Sequence, residues 1–179
     1  MQNQIYKGGR DQEIIELFIQ TFSDSEGKKE GLLIGELVRN LLDRTPPQDL
    51  RVFLSTEEEE VIGGVFFSRM RFENSATATW LLSPAAVQTR FQGMGVGQNL
   101  IRFAHDCLRE AGAEMAVTYG DINFYSKVGY QPVTIDIVPS PQPLSYPEGW
   151  IAQSLRREKL LPISGRSFCV EAINDPVYW

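Results

Sequence analysis

Two stretches of the chain combine residue types at spacings that suit chemistry. The first is Gln92-Gly-Met-Gly-Val-Gly97. It stands between an apolar run, Thr79 to Val87, and a stretch whose apolar residues fall at Leu100, Phe103, Ala104, Cys107, Leu108 and Ala111, which is helical spacing. A strand, a glycine turn and a helix in that order make an anion site. The first turn of a helix has backbone N–H groups without partners, and the helix dipole is positive there. Glycines remove the Cβ atoms that would keep a phosphate from those donors. The same pattern also serves a plain tight bend. The charge distribution agrees with an anion. No Asp or Glu occurs between Glu73 and Asp106, and Arg90 and Arg102 are the only full charges in that gap, although acids outnumber bases by 23 to 17 in the whole chain. The second stretch is Phe124-Tyr-Ser-Lys-Val-Gly-Tyr130. It offers a phenol, Tyr125, able to hold or give a proton.

Other phosphate loops do not fit. A Rossmann fingerprint beginning at Gly93 or Gly95 needs its third glycine where Gln98 or Leu100 stands, and no G-x-x-x-x-G-K-[ST] occurs. Two cysteines and one histidine do not make an ordinary zinc site. A net charge of −6 argues against nucleic acid. It suits a cationic substrate such as an amine, or simply solubility. No segment approaches the roughly 18 apolar residues of a membrane span, and no signal-peptide core opens the sequence. Cys107 lies on the apolar stripe and reads as core, so the cytoplasm is the default compartment.

The elements that must position these stretches are read from periodicity and punctuation. Gln2 to Tyr6 is a short first strand. Asp11 caps a helix through about Phe22, with Ile14, Ile15, Phe18 and Phe22 inward, and Ser23 to Gly27 breaks it. A second helix runs from about Lys28 to Leu42, with Leu33, Leu37, Val38 and Leu41 on one face. Arg51 to Ser55 and Val61 to Arg71 form a hairpin whose tip, Thr56-Glu-Glu-Glu-Glu60, is a solvated turn. The strand from about Ala76 to Val87 contains Pro84, which cannot donate to a ladder. Pro84 marks either an edge or a bulge and parting of strands near Ser83 to Ala86. Gly112 ends the central helix, and Glu114 to Tyr119 returns parallel to its predecessor by a right-handed crossover. Asp121 caps a short helix that Gly129 ends. Tyr130 to Ile137 is a strand, Pro139 to Pro147 an extended loop, and Trp150 to Leu155 and Arg166 to Ile173 the last strands. His105 lies about 140° round the central helix from Leu100 and is expected at the surface. The pattern is α/β (α+β): one mixed sheet with helices on both faces.

These segments resemble a known family. Gln92-x-x-Gly95-x-Gly97 matches the Q/R-x-x-G-x-G/A signature of the GCN5-related N-acetyltransferases (GNAT), and Phe124 to Tyr130 matches the F/Y-Y-x-x-x-G-F/Y segment that follows their fifth strand. The resemblance covers about Leu50 to Gln131 well, the two N-terminal helices loosely, and the region after Val138 least. The overall pattern resembles the YhbS-like bacterial acetyltransferases. The resemblance implies a GNAT fold, a single mixed and mostly antiparallel sheet with a parallel pair at the cofactor site, in one N-acetyltransferase domain over residues 1–179. It implies a cytoplasmic enzyme with acetyl-coenzyme A (acetyl-CoA) as cosubstrate and no metal. The acceptor would be a small-molecule or peptide amine, with no nucleic acid or membrane partner, and the assembly a monomer or homodimer.

The resemblance also assigns residues. Ala86 and Val87 would lie beside the pantetheine arm. Gln92, Gly93, Met94, Gly95, Val96, Gly97 and Gln98 would hold the pyrophosphate with backbone amides. Tyr125 would protonate the departing thiolate, the alternative being that it only packs against the cofactor. The position of Met94 is often Arg or Lys in relatives, so one charge contact is absent. Arg90 either replaces it or meets the 3′-phosphate. No motif marks the base that takes the amine proton, and Glu26, Glu30, Glu73 and Asp121 are the candidates. A non-catalytic sensor that binds CoA on the same fold is the competing reading.

Overall fold

One residue, Gly27, separates the first two helices, α1 (Asp11–Glu26) and α2 (Lys28–Arg44), and its φ of 97° lies where only glycine is at ease. The computed structural model describes residues 1–156 and 159–179. By its internal contacts the chain divides into two compact units, Met1–Phe67 with Pro84–Ala104, and Ser68–Ser83 with His105–Trp179.

In the first unit α1 buries Ile14, Ile15, Leu17 and Phe18, and α2 buries Ile34, Leu37, Val38 and Leu41. Phe22 and Leu33 are only half-buried. The first helix runs through Ser23 to Glu26, and Gly27 stops it. Its N-cap is Arg10, without a side-chain cap bond. Asp11 instead accepts the Tyr6 hydroxyl and places an acid in the first turn, where the dipole favours it. The two helices approach closely because α2 presents Gly31 and Gly35. A Cβ on Gly31 would stand 2.0 Å from Ser23 Oγ and 2.5 Å from the Ile19 carbonyl oxygen, and one on Gly35 2.3 Å from Ile19 Cγ1.

The strands of this unit are β1 (Gln2–Ile5), β2 (Leu50–Glu57) and the first part of β3 (Glu60–Phe72). Strands β1 and β2 pair antiparallel, from Gln2 opposite Thr56 to Ile5 opposite Phe53. Edge-to-face aromatic pairs build the core: Phe18 on Phe66 at 5.4 Å, Phe53 on Phe67 at 5.9 Å and Phe53 on Phe103 at 6.1 Å. Each adds about 0.5–1.5 kcal/mol beyond its buried area. At the hairpin tip Glu58 and Glu59 have φ of 47° and 69°, the left-handed pair that a two-residue turn between strands requires.

Strand β4 (Ser75–Val87) runs through both units, as β3 does. Helix α3 (Val96–Glu110) is the crossover to β5 (Met115–Tyr119), which pairs parallel with β4 from Thr79 opposite Met115 to Leu82 opposite Thr118. Then follow α4 (Ile122–Tyr125), β6 (Gln131–Pro132), β7 (Trp150–Ser154) and β8 (Ser167–Phe168). The sheet order is β1-β2-β3-β4-β5-β7-β6, with β8 on β3. Strand β1 pairs antiparallel with β2, β8 with β3, and β7 with both β5 and β6, whereas β4 and β5 are parallel. No helix among the described residues is long and apolar enough to cross a membrane.

Two expected strands are much shorter than their apolar patterns. After Pro132, which has no N–H to extend a ladder, the Ile137 and Val138 amides both donate to the Thr134 carbonyl at 3.0 Å and close a turn. After Phe168 the chain makes a 3-10 turn at Glu171–Ile173. Asp121 caps α4 as its position suggested, accepting the Asn123 N–H at 2.9 Å, and Gly129 ends the segment with a φ of 99°.

His105 is not at the surface. The buried stripe of α3 is Val96, Leu100, Ile101, Ala104, His105 and Leu108, while Phe103 and Cys107 are half-buried and Ala111 is exposed. The stripe is rotated by one position from the one that apolar residues alone suggest. His105 Nε2 lies 3.1 Å from the Tyr130 hydroxyl, and the Gln153 amide lies 3.2 Å from its Nδ1. Burial, helped by the Arg109 charge and opposed by Asp106, pushes its pKa down to about 4.

Two predictions follow from this packing. Gly31→Ala lowers stability by about 2 kcal/mol, outweighing the roughly 1 kcal/mol gain in helix propensity. Chemical denaturation checks it, and a raised midpoint contradicts the close approach. His105 is neutral when folded, and its folded pKa lies below the unfolded one. Its contribution is therefore complete above about pH 6.5 and is lost as pH falls towards the folded value, an order of roughly 3 kcal/mol. His105→Gln removes that part of the acid slope in denaturation curves taken from pH 7 to 4, and an unchanged slope contradicts it.

Candidate active site

The glycine turn lies in the first unit. A 3-10 turn, Thr89–Phe91, leads into it from β4, and α3 begins at Val96. Gly93 and Gly95 have φ of 76° and 82°, and a Cβ at Gly93 would meet nothing within 4 Å. Both glycines are needed for their backbone conformation and not for lack of room. The helix closes its first bond from the Asn99 N–H to the Gly95 carbonyl at 3.0 Å. Among the described residues no acceptor meets the backbone N–H groups of residues 93 to 98. Gln92, Gly93 and Met94 are exposed, Gly95, Gly97 and Gln98 half-buried, and Val96 buried. Gln92 has a structural part as well. Its Nε2 donates to the Val87 carbonyl at 2.9 Å and ties the turn back to the end of β4.

The approach to the turn is braced by polar side chains. Gln88 Nε2 donates to Glu60 Oε1 at 2.8 Å and to the Val61 carbonyl at 2.9 Å. Thr89 Oγ1 donates to Asp24 Oδ2 at 2.6 Å. Arg90 pairs with Glu60 and lies over the Phe91 ring at 4.9 Å. The guanidinium offered for a phosphate is thus engaged with a carboxylate, and Glu60 is a strut and not merely part of a solvated turn. Hydrogen bonds from Gln88 and Arg90 hold the Glu60 carboxyl below its usual pKa, and those from Thr89 and Gln20 do the same for Asp24.

Strand β4 carries an irregularity where Pro84 sits. The Ala78 carbonyl accepts from Glu114, on the side of β5, while the Gln88 N–H donates to the Ile62 carbonyl, on the side of β3. In a regular strand residues separated by an even number point to the same side. One residue is therefore out of register between Leu82 and Gln88, which is a bulge. The parallel ladder stops at Leu82 and Thr118, two residues before the proline. Ala86 is buried and Val87 half-buried at the strand's end.

Tyr125 belongs to the second unit and is half-buried. Its ring packs edge-on against Tyr130 at 5.5 Å and Phe124 at 5.0 Å. It also covers Gly120, where a Cβ would stand 2.7 Å from Tyr125 Cε2. On β5, Thr118 Oγ1 donates to the Leu82 carbonyl at 2.8 Å. Burial raises the Tyr125 phenol's pKa to about 12, and the Thr118 side chain draws it partly back. Thr118 escaped the sequence reading, although a lone hydroxyl within the apolar Met115 to Tyr119 was a signal that it had a partner.

The candidate bases are dispersed. Glu73 accepts from the Arg166 N–H at 3.1 Å and pairs with its guanidinium, which lowers its pKa and weakens it as a base. Asp121 is a helix cap, and Glu26 is exposed at the end of α1. Glu30 lies in the first turn of α2. Both cysteines are free thiols, and burial raises the pKa of each. Among the described residues no group of three or more His, Cys, Asp and Glu is placed to hold a metal ion.

Comparison with known proteins agrees with this arrangement. Residues 48–132 match the acetyltransferase (GNAT) domain family. The chain is 29% identical over 141 residues to the uncharacterized N-acetyltransferase YjhQ of Escherichia coli, covering 76% of this chain and 77% of that one. Among solved structures, the E. coli GNAT family N-acetyltransferase YhbS in complex with CoA superposes with a TM-score of 0.81 at 22% identity, over 98% of this chain and 92% of that one. A GNAT family acetyltransferase from Brucella melitensis in complex with acetyl-CoA gives a TM-score of 0.72 at 22% identity, over 96% and 98% of the two chains. Residues 48–132 are thus similar to the GNAT acetyltransferase domain, and the chain shares the fold of solved GNAT family proteins.

Proposed function

We propose that the protein moves an acetyl group from acetyl-CoA to a primary amine of a small molecule or peptide. The observation that carries this is the set of unclaimed amides at residues 93 to 98, in a turn with two left-handed glycines at the start of a helix. Such a nest is a diphosphate cradle. The relatives whose structures hold CoA or acetyl-CoA support the same reading. Ala86 and Val87, at the end of the bulged strand, would lie beside the amide-bearing arm, with a backbone N–H near Val87 on the thioester carbonyl oxygen.

The amine attacks the thioester carbon as its neutral form, after water or a carboxylate has taken its proton. The tetrahedral oxyanion is held by the backbone N–H. When it collapses the C–S bond breaks, the thiolate takes a proton from Tyr125, and solvent restores the phenol. A phenol at about 12 is always protonated at neutral pH, so the acid is present whenever it is needed. A free thiol at about 8.5 would leave the transfer uphill. The burial that raises the phenol also raises a thiol expelled beside it, which narrows that difference.

Thiol release with acetyl-CoA and a panel of amines tests the reaction. Tight CoA binding without turnover on any amine would leave the protein a sensor. Tyr125→Phe is expected to lower kcat by about a hundredfold or more with the acetyl-CoA affinity kept. The wild-type rate should show no alkaline fall from this phenol below about pH 11, because the raised pKa keeps it protonated as pH rises. An unchanged rate and pH profile in the variant would sink the acid role. Met94 is 59% exposed, so Met94→Lys restores a charge beside the cradle without crowding it. It should tighten CoA binding by about threefold to tenfold in calorimetry, and an unchanged Kd contradicts the placement of the diphosphate.

A further inference from the structure

The second unit contains a cavity of about 390 Å³ whose walls include Tyr119, Gly120, Asp121, Tyr146, Glu148 and Gly149. Two acidic residues and two tyrosines are among the residues that line it, and no lysine or arginine is. Its walls are fixed by the main chain. The Gly120 N–H donates to the Gly149 carbonyl at 2.9 Å, and the Gly149 N–H to the Tyr146 carbonyl at 2.8 Å. The Tyr146 N–H donates to the Tyr119 hydroxyl at 2.5 Å. Behind this, Trp179 stacks on Tyr119 at 6.4 Å and its carbonyl accepts the Ser145 N–H at 3.0 Å. Asp121 Oδ1 is committed to the cap of α4. Glu148 is exposed and makes no hydrogen bond or ion pair among the described residues. The Tyr146 side chain is also exposed, at 68% for the residue.

We propose that this cavity holds the distal ammonium of an acceptor that carries at least two amino groups, a reading that rests on the acetyltransferase function above. Phenol faces attract alkylammonium ions, and a carboxylate free of internal partners adds charge. Position supports the assignment. The Tyr125 ring lies directly on Gly120, which is itself a wall of the cavity, so an acceptor seated here is next to the proposed acid. The attacking nitrogen must be neutral, and a site that stabilises a cation would hold it protonated. The group held between Glu148 and Tyr146 is therefore a second nitrogen, which stays charged while the first is acetylated. A monoamine has no such anchor.

The test compares putrescine, a four-carbon diamine, with butylamine. Wild-type protein should show a kcat/KM about tenfold higher for the diamine. Glu148→Gln and Tyr146→Ala should each cut that preference to less than about threefold. Separately, putrescine titrated into the protein without acetyl-CoA should shift the amide resonances of residues 119–121 and 146–149, and Glu148→Gln should abolish the shifts. Equal kcat/KM for the two amines, or shifts confined to other residues, overturns the proposal. Shifts at these residues with no thiol release on any amine would refute the transferase reading and leave the cation site standing. Thiol release without shifts or diamine preference would do the reverse.

Discussion

The candidate site depends on one imbalance in backbone hydrogen bonding. A helix start leaves several N–H groups without intrahelical acceptors, and most proteins cover them with a capping side chain or water. Here the turn before the helix holds two left-handed glycines, and the backbone donors of residues 93 to 98 make no hydrogen bond among the described residues. The long acid-free interval around them leaves no internal carboxylate in sequence reach. An anion bound there would satisfy what folding leaves open.

Rigidity around that imbalance comes from side chains with no direct part in chemistry. Gln92 fastens the turn to Val87, Gln88 and Arg90 fasten the preceding segment to Glu60, and Thr89 fastens it to Asp24 on the first helix. Exposed ion pairs each contribute little, about 0–1 kcal/mol. Their value here is geometric, because several short bonds on one six-residue segment restrict its direction. The second unit treats Tyr125 alike, with ring contacts from Phe124 and Tyr130 and with Gly120 beneath.

The sequence made most strands, the crossover helix and both motifs legible, since each rests on local pattern or punctuation, and it left Pro84 open between an edge and a bulge. Elements decided by pairing were less so. Val133 to Ile137 has the alternation of a strand, yet Pro132 removes a donor and Thr134 gathers two amides, so the alternation is not used. Histidine's polarity placed His105 outside, whereas Tyr130 and Gln153, distant in sequence, supply the partners that allow it inside. Gly31 and Gly35 carry no apolar signal, and their purpose appears only once Ile19 and Ser23 are seen against them. Arg90 stands in a stretch of sequence without acids, and the acid it pairs with, Glu60, comes from thirty residues away.

The aromatic stack behind Tyr119 has a further use. Of the chain's three tryptophans, Trp150 and Trp179 lie 5.9 Å apart, and Trp179 touches the tyrosine that forms the cavity wall. Indole emission responds to nearby quenchers and to solvent. The protein thus carries an intrinsic fluorescent reporter beside the proposed acceptor pocket, and occupancy there can be followed without a label.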